Sequence, residues 1–395
     1  MMSARLVAAF LTLAAQPAII GQVHIRKATF PLPDATQTHP VDALLEAIQD
    51  KRIVFIGERY HTDSVAGKFH RDLVERLIAE HGFSFILSEV PFYVSSTFWE
   101  ETFWQEILPF HASAMSNTGH WLRDVSKQTG VIHQGMDCGI RSTADKEVQY
   151  LLNGCDEDTS FFASSAWLGW RNAFGQLSQR RLDHKVFHEF KEHTRLLNKA
   201  IDTYYMPNEC DLTFLRIYLV SMAAELENDL NYYHKLLRQK RVTFSLHNYR
   251  DSVMANVAEH FIRTAPPETK FVILMSNYHV MRNADLIKSG IGENKKKIRT
   301  TADRLAEAFG DDLYSIATIN YKDELQRLLD EPGKKSGRSN KSIEYELLNS
   351  CPADPCFIDI SKETRSWVMS PTFRKKNLVA PWGELYDGLL YFKEL

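Results

Sequence analysis

The sequence predicts an α/β fold: a mostly parallel central sheet flanked by helices, with a large helical insertion. Three observations carry that expectation. Short apolar runs of strand length end in polar or ionisable residues, as in Arg52–Glu58 and Phe271–Asn277. Segments of helical period separate several of these runs. Residues 143–265 hold almost no strand signal, while Leu, Tyr, Lys and Glu recur there at helical spacing.

The first 21 residues stand apart. After Arg5 comes a short apolar stretch from Leu6, with small residues behind it and candidate cleavage points after Ala15, Ala18 or Gly21. This is the order of a secretory signal, which predicts a periplasmic or secreted protein. The alternative is a first strand or helix of a cytoplasmic protein. Residues 22–142 read as the first part of the α/β core, 143–265 as the helical insertion and 266–395 as the second part of the core.

Within the core, residues 28–50 are rich in Pro and Thr and then helical around Val41 to Ile48. Arg52–Glu58 is continuously apolar up to Gly57-Glu58, the pattern of a strand buried on both faces. Val65, Phe69, Leu73 and Leu77 then line one face of a helix, which His81-Gly82 is suited to end. Phe83–Glu89 is a second strand, and strand, helix and strand in this order predict a right-handed βαβ unit. Val131–Asp137 is a weaker strand and Phe271–Asn277 a strong one; Leu313–Asn320, Phe357–Ile360 and Leu389–Phe392 follow. Asp330–Lys341 is polar and contains Gly, so it reads as an exposed loop.

Bulk properties narrow the function. Hydrophobic residues make up 44% and charged residues 25%, as in an ordinary globular protein, and the net charge of −3 gives no reason to expect nucleic acid. No apolar run is long enough for a membrane span in the mature chain. The 5 cysteines leave at least one unpaired in a monomer. Cys351 and Cys356 flank Pro-Ala-Asp-Pro and could close a small loop in an oxidising compartment, or remain thiols. No CxxC or HExxH zinc pattern occurs, and no residue is assigned as a metal ligand.

Ligands of open parallel sheets bind outside the carboxyl ends of the strands. That rule selects Glu58 and His61, Glu89, Asp137, and Asn277 with His279. His61 can serve as a general base, because imidazole titrates near neutral pH. Glu58 could orient its ring, or merely cap the helix that begins near Thr62. Glu89 could share a water with His61, or stay protonated if buried. His279 suits a second acid or an oxyanion donor, or a structural histidine tied to a backbone carbonyl. Trp167, Trp170, Tyr204 and Tyr205 offer either an apolar wall for a bulky substrate or core packing.

The residues also resemble a family. Gly57-Glu58-Arg59-Tyr60-His61 is similar to the Gly-Glu-x-x-His opening of the erythromycin esterases. Gly82-Phe83 and Glu89 follow at the family's spacing. Trp121-Leu122-Arg123, Gly135-Met136-Asp137 and, at slightly different spacing, Arg250-Asp251-x-x-Met254-x-Asn256 resemble later segments. Ser276-Asn277-Tyr278-His279 resembles the family's His-Asn-x-His, with Ser276 in place of the first histidine; the family's first-helix arginine falls where this chain reads His70-Arg71. The resemblance covers about residues 50–320.

It implies an esterase-like hydrolase acting on carboxylic esters or lactones. His61 would be the base, Glu58 and Glu89 would tune it, and His279 would complete the catalytic set. His70, Arg71, Arg123, Asp137 and Asn277 would bind a small-molecule substrate. No cofactor is required by that chemistry, and the oligomeric state is left open. A looser resemblance extends to haem-uptake ChaN-like proteins, Tiki metalloproteases and secreted toxin domains. It leaves two further readings: a non-catalytic haem- or ligand-binding protein or effector, and a hydrolase whose histidines and glutamates hold a divalent metal.

Overall fold

The computed structural model describes residues 40–58, 64–91, 115–137, 148–149, 152, 159–178, 184–205, 215–216, 219, 245–287, 298–320, 343–344, 347, 355–364, 366–369 and 378–393. The candidate signal, His61, the Asp330–Lys341 loop and Cys351 lie outside the described residues.

In chain order the strands are β1 (Ile53–Glu58), β2 (Phe83–Pro91), β3 (Ile132–Asp137), β4 (Lys270–Ser276), β5 (Leu313–Asn320), β6 (Cys356–Asp359), β7 (Ser366–Met369), β8 (Leu378–Pro381) and β9 (Gly388–Phe392). Seven of them form one sheet in the order β3-β2-β4-β1-β5-β9-β6. Every neighbouring pair is parallel except β6 with β9, which is antiparallel. All seven runs read as strands in the sequence belong to this sheet. The strand–helix–strand unit at its start skips a place, because β4 lies between β1 and β2. β7 and β8 pair separately as an antiparallel ribbon. Their short sequences, Ser-Trp-Val-Met and Leu-Val-Ala-Pro, carry too little pattern to be read as strands.

The continuous apolar runs follow from burial on both faces. On one face Phe55, Leu87, Ile273 and Met275 pack against helices α6 (Ser245–Thr264) and α7 (Thr301–Phe309). On the other, Val54, Ile56, Ile86 and Val272 meet α1 (Pro40–Ile48), α2 (Ser64–His81) and α3 (Met115–Thr129). Successive residues of β1 therefore alternate between two apolar layers. Each such side chain contributes about 1.5–3 kcal/mol on burial.

The helical stretch contains α4 (Ser165–Ser178) and α5 (His184–Tyr205). Trp167 stacks on Trp170 at 5.5 Å and Trp170 on Phe174 at 5.6 Å, and all three are buried. These aromatics are thus core packing. The last helix of that stretch, α6, packs on the sheet itself through Val253, Met254, Val257 and Ile262. A one-turn helix, α8 (Trp382–Leu385), precedes β9. Among the described residues, no helix is long and apolar enough to cross a membrane.

Candidate active site

The sheet order places β3, β2, β4 and β1 side by side, so Asp137, Glu89, Ser276 and Glu58 stand at adjacent carboxyl ends. Glu58 lies opposite Ser276 in the register. Between Ser88 and Pro91 the register of β2 on β3 shifts. Such an irregularity re-aims side chains at the end of a strand, and here it falls on Glu89.

Arg250, in the second turn of α6, ties these ends together. Its Nε donates to Asp137 Oδ1 at 2.9 Å and its Nη2 to Asp137 Oδ2 at 2.9 Å. This is the bidentate geometry that suits guanidinium to carboxylate. Nη2 also donates to Glu89 Oε1 at 2.8 Å. The second oxygen of Glu89 accepts from the Ser276 backbone N–H at 2.7 Å. Glu89 and Asp137 are almost fully buried, so both carboxylates depend on these donors in place of water.

His279 completes the network from the loop after β4. Its Nε2 lies 3.3 Å from Glu89 Oε1 and 3.2 Å from Arg250 Nη1. Its Nδ1 lies 2.7 Å from Asp251 Oδ1. That same oxygen accepts from the Thr301 N–H at 2.7 Å and the Thr301 hydroxyl at 2.8 Å. Thr301 opens α7, behind a capping box formed by Thr300 and Asp303. Asp251 therefore faces the positive end of a helix.

The charges decide the state of the imidazole. Burial alone would push His279 down, but Asp251 and Glu89 outweigh it and hold the ring up at about 10, against an ordinary value of 6.5. Both carboxylates thus favour the protonated ring. Two other buried histidines behave oppositely, because burial disfavours their charged form. His70 falls to about 4 and His133 to about 3. His133 Nε2 pairs with the Ser88 hydroxyl at 2.7 Å, deep between β2 and β3.

The structure brings Glu89, Asp137 and His279 into one network and sets Glu58 on the neighbouring strand end. The other candidates stand elsewhere. His70 Nε2 pairs with the Thr318 hydroxyl at 2.8 Å, inside the layer between α2 and the sheet. Asn277 uses its amide on the backbone of Thr318: Nδ2 donates to the carbonyl at 2.6 Å, and Oδ1 accepts from the N–H at 2.9 Å. Its own carbonyl accepts from the Tyr386 hydroxyl at 2.9 Å. The Arg71 guanidinium lies over the Trp121 ring at 5.6 Å. Arg123 is on α3, with its side chain outside the described set. Asp251 received no role from the sequence, nor did Arg250. A signal was present: Asp251 shares its helical stripe with buried Met254 and Ala258, and a carboxylate on an apolar stripe needs a partner.

Among the described residues, no group of three or more His, Cys, Asp or Glu side chains is arranged to hold a metal ion. The carboxylates of Glu89 and Asp137 are both paired with Arg250.

A family described as erythromycin esterase matches residues 98–395, more than half of the chain. A solved histidine-to-asparagine mutant of the erythromycin esterase EreC, in its open conformation, is similar with a TM-score of 0.66 at 14% identity, over 89% of this chain and 92% of that one. A protein from Bacillus cereus is similar with a TM-score of 0.64 at 15% identity, over 97% of each chain. A succinoglycan biosynthesis protein gives a TM-score of 0.60 at 12% identity, over 98% of this chain and 97% of that one. These structures share the α/β fold. No curated protein matches the sequence.

Proposed function

This chain belongs to the erythromycin esterase family, and on that premise we propose that it is an esterase-type hydrolase opening carboxylic esters or lactones of small molecules. The observation that supports this most is His279, a buried imidazole held protonated between Asp251 and Glu89 at the carboxyl ends of the strands. An imidazole in that state is a poor base at neutral pH and a good donor. The base in this reading is His61, three residues after the end of β1 in the chain.

His61 takes a proton from water, and the hydroxide oxygen bonds to the carbonyl carbon. The charge of the His279 ring stabilises the oxyanion that forms. The bond from carbon to the leaving oxygen breaks, and that oxygen takes up the proton held by His61 as the alcohol departs. Glu58 orients His61, and Glu89 holds the Ser276 end of β4 in place. A panel of macrolactones and simple esters tests the reading. Wild-type turnover is expected on at least one, with loss in His61→Ala. Full turnover in His61→Ala removes His61 as the base.

The order of residues 1–21 supports export as part of the same proposal. N-terminal sequencing of the purified mature protein is expected to begin after Ala15, Ala18 or Gly21. An intact Met1 removes export by this route.

A further inference from the structure

We infer that Asp251 is a positioning residue for the reaction: anchored to the first turn of α7, it fixes both the orientation and the charge of the His279 ring. The inference rests on the hydrolase reading and deepens it. Asp251 is fully buried, and its Oδ1 collects His279 Nδ1, the Thr301 N–H and the Thr301 hydroxyl within 2.7–2.8 Å. Its Oδ2 takes no hydrogen bond. A buried carboxylate bonded in this way has its charge balanced by the imidazolium and by the helix end. The two donors from Thr301 fix the oxygen, and the oxygen fixes which ring nitrogen carries a proton on that side. The loop after β4 is locked from behind as well, since Ala302 N donates to the His279 carbonyl at 3.0 Å.

The charged groups around His279 come from four elements. Glu89 approaches from β2, Asp137 from β3 by way of Arg250, Arg250 and Asp251 from α6, and Arg304 from α7 acts on Asp251 at longer range. Of these, Asp251 alone meets Nδ1, while Arg250 and Glu89 share the Nε2 side. Asp251 can therefore orient the ring without touching its Nε2 side.

The bland alternative is that Asp251 merely staples α6 to α7. Asp251→Asn separates the two roles, because it keeps the shape and the acceptor and removes the charge. On a hydrolysed ester, kcat is expected to fall ~10–100-fold, with KM little changed and the alkaline limb of the pH profile moved to lower pH. In histidine-labelled NMR the His279 signal, assigned by its loss in His279→Gln, is expected to titrate lower than in the wild type. Thr301→Val removes one anchor but no charge, so it should lower Tm and leave the titration near its wild-type position.

An Asp251→Asn protein that loses stability but keeps the pH profile and the His279 titration reduces Asp251 to a staple. A wild-type His279 that titrates near 6.5 overturns the inference with no variant needed. Failure of the hydrolase reading is distinct. It is an absence of turnover on every ester, and the histidine titration still decides whether Asp251 governs His279.

Discussion

At the residue scale, the Arg250 guanidinium stands between two carboxylates that have almost lost contact with water; the Glu89 side chain is 4% exposed and that of Asp137 7%. Removing one partner of such a set leaves uncompensated buried charge. Arg250→Met is expected to lower stability by about 3–5 kcal/mol in urea denaturation. Arg250→Lys should recover only part, since an ammonium cannot reproduce the bidentate fork. His279 makes a pH prediction. It titrates at about 10 when folded against 6.5 when unfolded. Its contribution to stability is therefore whole below about pH 6.5 and fades as pH rises towards 10. Denaturation midpoints measured at pH 6 and pH 10 should differ less in His279→Gln than in the wild type. Glu89, Asp137 and His279 were legible in the sequence because strands announce their own ends. Arg250 and Asp251 received no role because they lie within a helix far along the chain, where no strand-end rule reaches.

At the element scale, the close approach of β1 to the loop after β4 depends on Gly57. A Cβ there would stand 2.4 Å from Asn277 Oδ1, 2.7 Å from Val280 Cγ2 and 2.8 Å from the Ile316 carbonyl oxygen. One of these is backbone, and the other two belong to the loop that carries His279. Gly57→Ala is expected to cost about 1–3 kcal/mol and to lower turnover together with Tm. Asn277 bonds both backbone groups of Thr318 between strands that are not neighbours in the sheet. Asn277→Ala leaves those groups unsatisfied and should destabilise by about 2 kcal/mol or more, measured by thermal melting. The seven strands of the main sheet were legible because burial on both faces writes a continuous apolar run. The β7–β8 ribbon was not, since its four-residue strands hold no period to count. Nor was the place of β4 between β1 and β2, because an apolar run does not state which neighbour it will take.

At the scale of the whole molecule, the C-terminal segment supports the strands that form the site. β9 pairs with β5, and the Tyr386 hydroxyl reaches the carbonyl of Asn277, two residues before His279. Asp387 accepts from the Ser315 N–H at 2.8 Å and from Arg282 Nη2 at 2.6 Å. A chain ending at Asn320 is therefore expected to be rapidly degraded in limited proteolysis, whereas the full chain yields a stable core. A soluble, protease-resistant truncate would count against this dependence. The position of β4 also has a consequence in time. β1, β2 and β3 leave the ribosome long before Lys270–Ser276 exists, so β1 and β2 wait with facing backbone edges unsatisfied. The slot between them can close only after more than half of the chain is made. Sequence-distant pairing of this kind slows folding and prolongs the life of open, sticky intermediates. The candidate site therefore assembles late in biogenesis, once an incoming strand has united two halves of a pocket that were synthesised apart.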